Sequence, residues 1–131
     1  MGGALKRKKV IIAVAEKAAA LIKSGWTRGA EARDTRRQAV FASSADAKCF
    51  CAIGALLRAM TDCGAYDRNY HAYDEIRHRY ADKIGAEIVT HNDKVARHKS
   101  HVIAVFTAIA ADIRTELETP RSAKCCKSGR H

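Results

Sequence analysis

The side chains best suited to covalent or metal chemistry fall in two short stretches. "DAKCFCAIGALLRAMTDC" (46–63) holds Cys49, Cys51 and Cys63, three of the five cysteines, and "HND" (91–93) sets a histidine beside two residues that could orient it. A thiol in the first turn of a helix can be shifted toward thiolate. Cys51 with His91 and Asn92 or Asp93 would then supply the cast of a Cys–His–Asn enzyme. The cysteines could instead be metal ligands, with His98 and His101 as further donors.

Spacing argues against both. On a helix, Cys49 and Cys51 point about 200° apart, so they cannot grip one ion or bond to each other. Cys63 lies too far along, Cys125 and Cys126 sit in a tail, and no second C-x(2–4)-C pair is present. A base and its orienting residue normally come from separated segments, and the chain has no Gly-rich loop to serve as an oxyanion hole. No metal, no cofactor and no catalytic residue is expected, with a thiol enzyme using Cys51 kept as the third reading.

Packing accounts for more of the stretch. Residues 47–62 predict a helix capped by Asp46, with Cys49, Ile53, Leu56, Met60 and Cys63 on one stripe and Phe50, Gly54, Leu57 and Thr61 on the next. A helix apolar nearly all round is a buried one. Gly54 costs about 1 kcal/mol in a helix interior, which makes sense where another backbone passes close by. Reduced cysteine behaves there as a small hydrophobe.

Other elements must wrap this helix. Residues 5–24 predict a first helix with Ile11, Val14, Ala18, Leu21 and Ile22 inward and Gly25 as its stop. Residues 25–45 read as an irregular crossing with one helical turn around 31–38, where Trp26 pegs the loop to the core or stacks on a base. Residues 66–89 predict a helix, broken near Ala81 or Gly85, whose tyrosines (Tyr66, Tyr70, Tyr73, Tyr80) line a core edge with their hydroxyls toward water. "THNDKVARHKS" reads as a polar connection in which Asn92 and Asp93 shape a turn; the alternative is a buried anchor, Asp93 paired with Arg28 or Arg58. A last helix, 101–118, is capped by Ser100, buries Val102, Phe106, Ile109, Ile113 and Leu117, and ends at Pro120. The fold class is therefore all-α, a compact single domain of about four to five helices around a buried central helix, with residues 1–4 flexible and 119–131 a disordered basic tail.

The net charge of +10 is uneven. Residues 1–37 carry ten Lys/Arg and three Asp/Glu; 38–120 carry ten and eleven; 121–131 carry four and none. Basic ends on a neutral body suit an acidic partner, and nucleic acid is the first expectation. The residues expected to touch it are Lys6, Arg7, Lys8 and Lys9, then Arg28, Arg33, Arg36 and Arg37, then Arg121, Lys124, Lys127 and Arg130. Lys6–Lys9 stand where a helix dipole prefers acids, so helix formation alone does not ask for them. No signal peptide or membrane span is read, because Glu16 and Lys17 break the first apolar run. Cytoplasm and reduced thiols are expected.

"GWTRGA" (25–30), "FCAIGAL" (50–56) and "HND" (91–93) before a final helix resemble a family of small bacterial and phage proteins of unknown function. The resemblance covers most of residues 5–115 and points to Trp26, Phe50, Cys51, Gly54, Ala55, Leu56, Asn92 and Asp93 as structural or functional positions. His91 stands where that family has an aromatic residue, so the resemblance implies no base there. It admits a second function, a phage- or mobile-element-encoded regulator or inhibitor that binds a host protein.

Overall fold

The structure, a computed structural model, describes residues 2–65 and 71–118. Five α-helices dominate it: α1 (Gly2–Ser24), α2 (Ala52–Asp62), α3 (His71–Ile84), α4 (Ile88–Thr90) and α5 (Lys99–Glu118). Between α1 and α2 run three two-residue strands, β1 (Ala32–Arg33), β2 (Ala39–Val40) and β3 (Cys49–Phe50). The expected tail residues, and Tyr66 and Tyr70, lie outside the described residues.

Apolar periodicity sets the helix faces. α1 buries Ile11, Ile12, Val14, Ala15, Ala18 and Ile22, and α5 buries Val102, Val105, Phe106, Ile109, Ala110 and Ile113. These two long helices pack along each other, and α1 also lies against α2 and α3. α2 buries Ala52, Gly54, Ala55, Leu56, Ala59 and Met60, the enclosed helix that its composition predicts. Gly25 accepts the turn out of α1, its N–H donating back to the Leu21 and Ile22 carbonyls. Gly85, at φ 77°, ends α3.

Three local expectations are corrected. The helical turn at 31–38 is a hairpin tip. β1 pairs antiparallel with β2, Ala32 opposite Val40, and with β3, Ala32 opposite Phe50. Asp34 Oδ1 accepts the Arg36 and Gln38 N–H groups at 2.9 Å each, which folds the chain back before 3.6-residue periodicity can act. Second, α2 begins at Ala52. Cys49 and Phe50 are strand, Asp46 is not the cap, and the cap is Cys51 in an extended backbone conformation. Third, Tyr80 is a fully buried residue with its hydroxyl 2.7 Å from His91 Nδ1, not a core-edge tyrosine reaching water.

Gly54 does mark a close approach, but the neighbour is a strand end rather than a helix. A Cβ there would overlap the Glu31 carbonyl oxygen and lie 2.8 Å from its carbon. That carbonyl accepts the Cys51 N–H at 3.1 Å, so it cannot withdraw without undoing the start of α2.

One ion network ties three helices. Arg79 on α3 donates two hydrogen bonds to Glu116 on α5, at 2.8 and 3.0 Å, and a third to Glu75 at 2.6 Å. Lys8 on α1 reaches Glu116 at 3.1 Å. The Arg79 hydrogen bonds, helped by Lys8, hold the Glu116 carboxyl down at about 2 against an ordinary 4.5.

Two predictions follow from this packing. Gly54→Ala should lower Tm by several degrees although alanine is the better helix former, because overpacking costs about 1–3 kcal/mol; an unchanged Tm in thermal unfolding would show that Glu31 yields freely. The Glu116 contribution to stability is present above about pH 4.5 and is lost as pH falls toward about 2. Glu116→Gln should therefore be less stable than the parent at pH 7 and flatten the acid limb of stability against pH. Parallel curves for the two proteins would remove Glu116 from the acid response.

Candidate functional site

The segment after α1, the start of α2 and the turn after α4 meet at one side chain. Past α4 the chain widens into a π-helical turn, His91–Val95, closed by the Ala96 N–H donating to the His91 carbonyl at 2.7 Å. Within it Asn92 is fully buried. Its Oδ1 accepts the Trp26 indole N–H at 2.7 Å and the Ala52 N–H at 2.9 Å. Its Nδ2 donates to the Thr27 carbonyl at 3.1 Å and to Asp93 Oδ1 at 2.8 Å. Two acceptor and two donor positions are an amide's full capacity. The buried-anchor reading of this pair is therefore the right one, with Asn92 rather than Asp93 at its centre. Asp93 Oδ1 also accepts the Gly29 N–H at 3.1 Å, where Gly29 turns at φ 77°.

Neither arginine proposed for Asp93 pairs with it. Arg28 lies 5.0 Å over the Trp26 ring and donates to the Ala96 carbonyl. Arg58 donates to the Ala42 and Ser44 carbonyls at 2.8 and 3.0 Å and to Asp62, pinning the loop after β2. Trp26 is the peg that its uniqueness suggested. One face of it is covered by Arg28 and its N–H is bound to Asn92.

Cys51 works here as a cap. Its Sγ accepts the Gly54 N–H at 3.3 Å while Asn92 takes the Ala52 N–H, so two of the free donors at the α2 N-terminus are satisfied. Burial, the largest influence, raises the Cys51 thiol above its ordinary value, outweighing the lowering by the Gly54 and Ile53 N–H groups. His91 Nδ1 is occupied by the Tyr80 hydroxyl, and burial lowers the His91 pKa. The two side chains of the thiol-enzyme reading are thus each bound to another partner. Among the described residues no group of three or more His, Cys, Asp or Glu could hold a metal ion. No helix among them is long and apolar enough to cross a membrane.

The cations expected to meet a partner divide. Lys6, Arg7 and Lys9 are exposed on the first turns of α1, whereas Lys8 is committed to Glu116. Arg36 and Arg37 are exposed at the hairpin tip, Arg37 at φ 66°. Arg33 is a brace inside the hairpin, donating to Thr27 Oγ1, the Arg37 carbonyl and the Arg28 carbonyl. Arg121, Lys124, Lys127 and Arg130 lie outside the described residues. A further basic group was missed. Lys94, Arg97 and Lys99, with His98 and His101, flank the buried knot beside Arg28 and Lys23, and Lys99 Nζ donates to the Lys23 carbonyl at 2.8 Å. The signal was available in sequence: residues 94–111 and 17–30 contain no Asp or Glu.

A family model described as "Family of unknown function (DUF6197)" matches residues 7–112, and the chain belongs to that family. The matched span holds the whole knot and stops short of the basic tail. No curated protein and no solved structure matches the chain.

Asn92→Ala removes the partner of two donors at once, the buried Ala52 N–H and the part-buried Trp26 indole N–H. Each unsatisfied buried group costs about 1–3 kcal/mol, so a loss of about 2–5 kcal/mol is expected from denaturant unfolding. Trp26 emission should also shift as its indole N–H is released. A variant of parental stability with unchanged emission would remove Asn92 from its central place.

Proposed function

We propose that this DUF6197 member is a non-enzymatic binding protein for nucleic acid. The observation that carries the reading is how the described cations divide. Lys8, Lys17, Arg58, Arg77, Arg79, Lys83 and Arg114 each pair with a carboxylate. Lys6, Arg7, Lys9, Lys23, Arg36, Arg37, Lys48, Lys94 and Arg97 are exposed and pair with no carboxylate among the described residues. Like charges left without partners raise the local positive potential and lower the compact state's stability, a cost that phosphate contacts offset. Both α1 and α5 also start without an acid in the first turn, against the preference of the helix dipole.

A second reading, a protein-binding regulator, is favoured by Phe41. It is 77% exposed and follows the edge strand β2, where a partner chain could pair. Salt separates the two. Titrating a labelled duplex of mixed sequence by fluorescence anisotropy should give a log affinity that falls linearly with log salt, by about 0.9 per phosphate contact. Absence of duplex binding at 20 mM salt would overturn the nucleic-acid reading and put the protein-binding one first.

A further inference from the structure

The basic group around the knot suggests where such a partner would sit. Two chain segments far apart in sequence deliver it: the last turn of α1 and the Trp26 segment that follows it, with Lys23 and Arg28, and residues 94–101. Two hydrogen bonds lock them together, Arg28 to the Ala96 carbonyl and Lys99 to the Lys23 carbonyl, while within the second segment the Arg97 N–H donates to His101 Nδ1 at 3.2 Å. The rings of His98 and His101 lie 5.4 Å apart. The nearest acid in sequence, Asp93, is half-buried and accepts from Asn92 and Gly29 through Oδ1. The side chains of Lys23, Lys94 and Arg97 make no hydrogen bond or ion pair among the described residues.

We propose that this surface, built on Lys23, Arg28, Lys94, Arg97 and Lys99, is a docking site for the sugar–phosphate backbone of a nucleic-acid duplex. The proposal rests on the nucleic-acid reading and names its contact surface. Cations fixed on a rigid base lose less conformational freedom on binding than cations on a chain end, so the knot beneath them favours affinity. The site reads phosphates rather than bases. Its aromatic ring, Trp26, is half-buried, packed against the core and covered on one face by Arg28, which disfavours stacking on a base. Affinity should therefore be insensitive to sequence and sensitive to salt. The matched family span contains all five cations.

Two triple variants of equal charge decide the matter. Lys23→Ala/Lys94→Ala/Arg97→Ala removes three cations from the proposed site, and Lys6→Ala/Arg7→Ala/Lys9→Ala removes three from α1. With the mixed-sequence duplex, the first should flatten the salt slope by about 2–3 units and weaken binding about tenfold or more at 0.1 M salt. The second should flatten it by less than about one unit. Parental Tm and Trp26 emission in both variants would confirm an intact knot. Should the first variant unfold, bound duplex should still protect Lys94 of the parent from acetylation. Equal losses in the two variants, or an unprotected Lys94, would overturn the site while leaving duplex binding in place. A parent with no duplex affinity overturns the reading itself.

Discussion

An amide buried with all four of its hydrogen-bonding positions filled is the constraint on which the rest of this protein depends. Asn92 joins three backbone segments that lie apart in sequence: the exit of α1 through Trp26 and Thr27, the start of α2 through Ala52, and its own turn through Asp93. In a low-dielectric interior such bonds are strong when complete and costly when one is missing. The arrangement is therefore specific. A residue with only acceptors or only donors cannot replace Asn92 without leaving a neighbour unsatisfied.

The geometry around it follows from that demand. A regular helix at 91–95 would present its side chains at 100° intervals, whereas the π-helical turn changes the direction in which Asn92 and Asp93 leave the backbone. Asn92 reaches inward to α2 while Asp93 fixes Gly29. The small residue at Gly54 lets the Glu31 carbonyl come down on α2 and hold the Cys51 N–H. Packing and polar satisfaction thus converge on the first turn of α2, where the thiol of Cys51 serves as a weak acceptor in a position that oxygen side chains usually take.

The helices were legible because their signal is local. The inward stripes of α1 and α5 repeat at helical spacing, and Gly85 breaks the chain where a break was expected. Misread elements were those set by tertiary bonds. Cys49 and Phe50 continue the apolar pattern of α2, and only their pairing with β1 makes them strand. Asp34 turns the hairpin with its own carboxylate, a signal that the surrounding arginines obscured. The polar string 90–100 looked like a surface connection, although Asn92 within it is the most constrained polar residue described. Trp26, Cys51, Gly54 and Asn92 could be picked out by type and order as a set, but not that one hydrogen-bonded cluster unites them. The basic surface around that cluster is signalled in sequence only by the two acid-free runs, 17–30 and 94–111, and that they form one surface is set by the fold.

The cap on α2 also has a consequence for synthesis. Asn92 follows Ala52 by 40 residues, and Trp26 by 66. At about 5–20 residues per second, Asn92 emerges from the ribosome roughly 2–8 s after Ala52 does. Through that interval the indole of Trp26 and the first amide of α2 have no partner of their own, and the apolar face of α2 awaits the later helices. The nascent chain is then at its most open to association with the wrong surface, and arrival of the 91–95 turn closes that window.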